Sequence, residues 1–414
     1  MEKITHLFVH RKDTKHYFHR HGKKYLFGTL WAFAVVKMVL LFVWFFSTLD
    51  FGMSYAQTEG LLSKETIISM GCPTDAITCE LSNRSITTIE SDAFVNHTQL
   101  QVLNLSFNQL TGLDWVEFPS LLGNLSLISN QIASLDWVEF PDSLQVLNLS
   151  FNSLTSISWV KFPDSLVYVK FSNNQLTNLD WIVLPSSVSY LDFSFNQITG
   201  ISWLVLPSSL KELYLNENQL TSLDWLEFSD PLSILYLAGN QITNISWIEF
   251  PDSLLVLNLA ENQLTSLDWV EFPDSLRELF FYDNQITSLS WVVLPSSLDV
   301  FYFFNNQLTS IDWIEFPSSL KILLIHRNKL TSVPESIMQL ANLSDNWWLN
   351  VDYNYIEFDQ LSPSLLAFID QKSEGNWRST QQTEAGQVAV GWCTDVNANN
   401  YNPDATYDNW SCLY

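Results

Sequence analysis

The sequence predicts an α/β solenoid, mostly parallel β with a loop or 3-10 convex side, standing behind an N-terminal transmembrane helix. Three observations carry this. Eleven asparagines recur every 22 residues, from Asn108 through Asn130, Asn152, Asn174, Asn196, Asn218, Asn240, Asn262, Asn284 and Asn306 to Asn328. Each follows the same apolar alternation, as in Leu213 and Leu215 before Asn218. A single long apolar stretch, about residues 25–49, precedes them. A fixed period of this length marks a chain of coils that bury their apolar faces only against their neighbours.

Within each coil the alternation has period two, so Leu213 and Leu215 point inward while Glu212, Tyr214 and Asn216 point outward. The Asn closing each strand has a side chain that both donates and accepts, so it can satisfy backbone groups of its own and adjacent coils. An internal asparagine ladder is the expected result.

The repeat reads LxxLxLxxNxLxxLxWxxFPxS, as in Leu210, Leu213, Leu215, Asn218, Leu220, Leu223, Trp225 and Phe228, and it resembles the leucine-rich repeat family from Leu100 to about Leu330. The resemblance implies a horseshoe with one parallel strand per LxL and ligands held on its concave side. The opening Pro-(Ser/Asp)-Ser-Leu is similar to the short bacterial-type repeats, and the tryptophan seven residues past each Asn departs from the commonest forms.

Those tryptophans are Trp115, Trp137, Trp159, Trp181, Trp203, Trp225, Trp247, Trp269, Trp291 and Trp313. The favoured expectation is a buried spine with Phe118, Phe140, Phe162 and their equivalents. The alternative is an exposed aromatic track for sugars or membrane. From Asn174 onward Asp and Ser alternate before the Trp, so a pair of coils is the larger unit. Asp180, Asp224, Asp268 and Asp312 fall on alternate coils, roughly 10 Å apart and too far for one ion, and read as solvated turn residues.

Charge is uneven along the chain. Residues 1–24 hold seven Lys or Arg, whereas residues 50–414 hold 11 against 42 Asp or Glu, a net of −31. Nucleic acid is excluded as a partner of the repeats by that field. The apolar stretch suffices to cross a bilayer core of about 30 Å, with Lys37 its one charge. Its basic flank places the N-terminus in the cytoplasm and the repeats outside or in the lumen. An uncleaved signal anchor is expected; cleavage after Ala56, behind Ser54-Tyr55-Ala56, would instead release a secreted chain.

The organisation read from the sequence is a basic leader (1–24), a transmembrane signal anchor (25–49), a juxtamembrane linker (50–71), an N-terminal repeat cap (72–99), the repeats (100–330), a degenerate terminal repeat or cap (331–370), a linker (371–391) and a Cys-bounded motif (392–414). The cysteines lie at the two ends, and a rigid solenoid would hold those ends far apart, so the expected bridges are Cys72 to Cys79 and Cys393 to Cys412. The first pair resembles the N-terminal cap of extracellular leucine-rich repeat proteins, with two cysteines where four are usual. Sequons at Asn83, Asn96, Asn342 and Asn409 are the candidate glycan acceptors; those at Asn104 and Asn148 lie on strands.

The last stretch resembles a short Cys-bounded motif found near the ends of surface and secreted proteins. Asp395, Asp404 and Asp408 offer oxygens for Ca²⁺, although Asp-Asn-Trp-Ser stands where such motifs carry Asp-Asp-Gly-Ser. A disulfide-closed, Asn-capped loop without metal is the other reading, and no further cofactor is expected. Outside the leader only His97 and His326 remain, on different coils, so no hydrolase triad or zinc site assembles and no enzyme is expected.

On the outward strand positions, aromatics gather toward the C-terminal half. Tyr214, Tyr236, Phe280, Tyr282, Tyr302 and Phe304, with His326 and Arg327 at the border, form the candidate ligand site. Contact with the C-terminal segment of the same chain is the competing use. The resemblance and this patch together imply a non-catalytic, membrane-anchored ectodomain that binds a protein or glycan ligand. The alternative is a secreted or surface adhesion protein that self-associates through its repeats.

Overall fold

The chain divides into Met1–Ala56 and Gln57–Tyr414. The computed structural model describes residues 60–202, 204–224, 226–340, 342–343, 348–373 and 377–382, with the backbone of two short strands at 391–392 and 407–408. The leader, the apolar stretch expected to cross a membrane, Cys393, Cys412, Asp395, Asp404, Asn409, Trp203 and Trp225 lie outside these residues. Of Asp408 only the backbone is described. Among the described residues no helix is long and apolar enough to cross a membrane.

The described part opens with strand β1 (Leu61–Leu62), helix α1 (Lys64–Ser69), β2 (Thr78–Glu80) and β3 (Thr88–Ile89). Eleven three-residue strands follow, from β4 (Val102–Asn104) to β14 (Ile322–Leu324), and then β15 (Leu349–Asn350). Strands β2 and β4 to β15 form one 13-stranded sheet in sequence order, with parallel register that pairs equivalent residues of successive coils, such as Leu213 with Leu235. A parallel solenoid is therefore the architecture, as the 22-residue period predicts.

The core is one continuous column. Leu213, Leu215, Leu220 and Leu223 of a single coil are wholly buried, and so are their equivalents along the slab. The asparagine ladder is present. Asn218 donates through Nδ2 to the carbonyls of Phe193 (3.0 Å) and Leu215 (3.1 Å), and its Oδ1 accepts from the N–H of Ile198 at 3.0 Å. One side chain thus satisfies three backbone groups over two coils, and the pattern recurs at its neighbours. A serine ladder runs beside it: Ser165, Ser187, Ser275 and Ser319 each donate to a leucine carbonyl one coil back at 2.7 Å. That ladder explains the serine of the Pro-x-Ser-Leu phrase, a role the sequence reading did not assign.

Both ends fold over more residues than the sequence suggests. Leu61–Leu62 and Lys64–Ser69, expected within a linker, are ordered, with Leu62 and Ile67 wholly buried and Ser63 capping α1. Cys72 and Cys79 are bridged, with Cα atoms 5.2 Å apart. At the other end, helix α2 (Pro363–Lys372) extends past the expected boundary at 370. Trp377, expected in a polar linker, is buried and donates through Nε1 to Asp370 at 2.8 Å. Gln381 bridges the Ile356 N–H (3.1 Å) and the Val351 carbonyl (3.3 Å). These residues close the open end of the sheet, which would otherwise expose unpaired strand groups and apolar side chains.

The buried tryptophan spine is not what the structure holds. Trp115, Trp137, Trp159, Trp181, Trp247, Trp269, Trp291 and Trp313 are 65–81% exposed. All of these but Trp181 lie in a turn closed by the residue after it, as where Val116 N–H bonds the Leu113 carbonyl at 3.2 Å. Six of them, Trp115, Trp137, Trp159, Trp181, Trp247 and Trp269, have φ between 60° and 71°. A positive φ at the third turn position aims the side chain outward, while Leu113 and Val116 on either side fill the core. The phenylalanines do form the expected spine, with Phe94, Phe118, Phe140 and Phe162 stacked at 6.2 to 6.4 Å.

Candidate functional site

Outward strand positions and the residues just after them build an aromatic surface on the sheet. Parallel register brings equivalent side chains of successive coils within about 5 Å, so one aromatic per coil becomes a stack. Tyr282 and Phe304 lie face to face at 4.6 Å, and Phe304 lies in turn on His326 at 4.5 Å. Phe280 meets Tyr302 edge-on at 5.0 Å, and Tyr302 contacts Phe304 at 6.3 Å. The five residues are contiguous; Phe280, Tyr282, Tyr302 and Phe304 are half-buried by one another, not fully exposed, and His326 is buried.

Tyr214 and Tyr236 belong to a second stack. Their rings are 5.2 Å apart, and the stack continues through Tyr190 at 5.2 Å to Tyr168 at 4.1 Å. Tyr168 and Tyr190 were missed because they occupy the first strand position, one rank away from the column in which Tyr214 and Tyr236 stand out. Lys170 lies 5.3 Å and 5.0 Å from the Tyr168 and Tyr190 ring centres, and 4.0 Å from the Asp192 carboxylate. The coil bearing Asn258 and Ala260 separates the two stacks.

Two members of the expected site differ in chemistry from the expectation. His326 does not supply a basic border: it is 5% exposed, and burial, reinforced by the Arg327 charge, pushes its imidazole down to about 3. It is neutral at ordinary pH. Arg327 places its guanidinium over Tyr353 of the terminal coil, 5.3 Å from the ring centre. The charge at this border therefore faces the cap.

Acids line the same face. Glu212 accepts from the Tyr214 hydroxyl at 2.9 Å, and Asp299 pairs with Lys321 at 3.0 Å and Arg277 at 3.4 Å. Burial, then the Asp299 charge, raises the Glu278 carboxyl. Burial, then Glu278, pushes the Tyr302 phenol up to about 12, and burial likewise raises Tyr190, Tyr214, Tyr236 and Tyr282. The hydroxyls stay protonated and able to donate. Such a surface can hold rings, aliphatic chains and hydrogen-bond acceptors.

Among the other expected sites, Asn83 and Asn96 are exposed, and Asn342 donates to the Ser318 carbonyl at 2.6 Å. Asn104 and Asn148 are half-buried on their strands, with Asn104 donating to Glu80 at 2.7 Å. His97 is buried against the Cys72 carbonyl at 3.0 Å, a structural position in the cap. Among the described residues no group of three or more His, Cys, Asp or Glu is placed to hold a metal ion.

Family models for leucine-rich repeats match residues 99–121 and 143–163, and, as a model of two copies, 186–228 and 208–250. Solved structures share the fold. YopM from Yersinia enterocolitica is 25% identical with a TM-score of 0.54, over 68% of this chain and 62% of that one. The chain thus spans less than two thirds of the YopM structure. An internalin from Listeria monocytogenes is 22% identical with a TM-score of 0.61, over 75% and 88% of the two chains. A leucine-rich repeat protein of Leptospira interrogans is 25% identical with a TM-score of 0.50, over 70% and 81%. No curated protein matches the chain by sequence. With its period, its asparagine ladder and its one parallel strand per coil, the chain carries leucine-rich repeats.

Proposed function

We propose that this chain is a non-catalytic recognition module that binds a protein partner through the aromatic face of its sheet. The carrying observation is the continuous stack of Tyr282, Phe304 and His326 with Phe280 and Tyr302 beside it. Aromatic side chains held rigid by their neighbours give large contact area at small entropic cost, and Tyr and Phe are enriched where proteins meet. The ion pairs at Asp299 border the block with fixed charges suited to orienting a partner. Leucine-rich repeats in general serve as protein-binding scaffolds, which favours a protein over a glycan.

The module is held at a membrane by residues 25–49, with the basic leader in the cytoplasm and the repeats outside. Support comes from the length of the apolar stretch and from seven Lys or Arg before it. Cleavage after Ala56 would make the same module a secreted binder. Intact mass of the mature chain after N-glycan removal separates the two, since only the anchored form retains residue 1.

The test of binding is affinity capture with the parent and with Tyr282→Ser combined with Phe304→Ser. The double variant keeps its far-UV circular dichroism and loses the partner. Equal capture by both would end this reading.

A further inference from the structure

The exposed tryptophans form a second surface, distinct from the sheet face. Trp115 comes 12 residues after Leu103 in a coil of 22, so the turn that carries it lies about half a coil from the strand. Six coils, those of Trp115, Trp137, Trp159, Trp181, Trp247 and Trp269, have two places with positive φ to fill. One precedes the ladder Asn, and there the residue with positive φ changes freely: Phe107, Ser129, Asn173, Glu217, Gly239, Asp283. Gly, Asn and Asp tolerate that conformation best, and the sequence uses all three. The other place is the turn, and there the residue is Trp in all ten coils. A bulky side chain at positive φ is a costly choice, and solvent gives an indole nothing in return. Retention of Trp at all ten turns, six of them at positive φ, points to a ligand for the indoles.

Six of the described turn tryptophans are stacked in pairs. Trp115 stacks with Trp137 at 5.6 Å, Trp159 with Trp181 at 5.8 Å and Trp247 with Trp269 at 5.8 Å. In the last two, the serine before the first Trp donates to the backbone carbonyl of the Asp before the second, at 2.8 Å. Around the ten tryptophans, from one residue before to five after each, stand 17 Asp or Glu and one cation, Lys161. None of the described members of this set is ion-paired among the described residues. Beside Trp269 a shallow hollow is lined by Asp268, Asn244, Thr243 and Ser266.

We propose that this turn face docks an extended, arginine-rich segment of a partner protein. Indole faces attract cations, a guanidinium most of all because it is planar and weakly hydrated, and the surrounding carboxylates supply the counter-charge. The indole pairs Trp115–Trp137 and Trp159–Trp181 follow each other after two coils, about 10 Å, which is the reach of three extended residues. An anionic membrane or an acidic polymer is repelled by the same field.

The experiment measures binding of a fluorescein-labelled nine-residue peptide of alternating Arg and Ser to the full chain in non-ionic detergent. The comparison ligands are the Lys counterpart, a neutral β-glucan oligosaccharide and phosphatidylcholine vesicles. Tight binding of the Arg peptide is expected, weaker binding of the Lys peptide, and loss of affinity with salt. Trp247→Ala with Trp269→Ala, or Trp159→Ala with Trp181→Ala, should each weaken the Arg peptide several-fold with circular dichroism unchanged. Equal binding of Arg and Lys peptides, untouched by either Trp pair, would reduce the surface to an acidic field and overturn the proposal. Binding of the glucan or the vesicles in place of the peptide would overturn it as well.

Discussion

Asn240 shows how much one residue can do in this fold. Its Nδ2 donates to the carbonyls of Leu215 (3.0 Å) and Leu237 (2.9 Å), and its Oδ1 accepts from the Leu220 N–H at 3.0 Å. Asn240→Ala leaves the buried Leu220 N–H unpaired and takes one of two donors from each of the two carbonyls, which keep Asn218 and Asn262, so it should cost about 1 to 3 kcal/mol, read as a lower urea midpoint. This role was legible in the sequence because a polar residue fixed among leucines in every coil is buried with them and must find partners there. His326 was not legible. It reads as an outward position, yet Phe304 covers it and its imidazole is held near 3. Its pKa in the unfolded chain is about 6.5, so on acidification the unfolded state takes up a proton that the native state refuses. The stability His326 contributes is therefore full above pH 6.5 or so and is lost as pH falls toward 3, by up to about 1.4 kcal/mol per pH unit. His326→Phe should flatten that dependence relative to the parent, with urea midpoints at pH 7 and pH 5 as the check.

The turn is the element where sequence and structure part. Trp recurs in all ten coils and Phe follows three residues later in seven of them, with Leu184, Leu206 and Leu294 in the others, and a period reports only that a place is equivalent in all coils, not which way it faces. The Phe faces in; the described turn Trp residues, six of them at positive φ, face solvent. Two substitutions separate the roles. Phe250→Ala removes a buried ring from the spine and should cost about 3 to 5 kcal/mol. Trp247→Gly, at φ 71°, relieves backbone strain and should leave stability within about 1 kcal/mol of the parent or raise it. Paired urea titrations decide this, and a loss for Trp247→Gly as large as that for Phe250→Ala would restore the buried spine.

Across the whole molecule, stability and recognition rest on repetition. Parallel register converts one aromatic per coil into a stack, so binding surfaces arise wherever a column of the repeat drifts to Tyr, Phe or Trp. The column that is Ser106, Ser150, Ser172 and Ser194 near the start becomes Tyr282, Phe304 and His326 near the end, and the candidate site appears at that change. The repeated frame was plain in the sequence; the caps were not, since Trp377 and Gln381 bury themselves by contacts that no period announces. The proposed recognition depends on the aromatic side chains the solenoid displays, and acrylamide quenching of tryptophan emission in the native full chain tests that display most directly, because ten of its 17 tryptophans are the turn residues. Red-shifted emission quenched readily before any unfolding is the predicted result. Blue-shifted emission, shielded from the quencher until urea unfolds the chain, would contradict it.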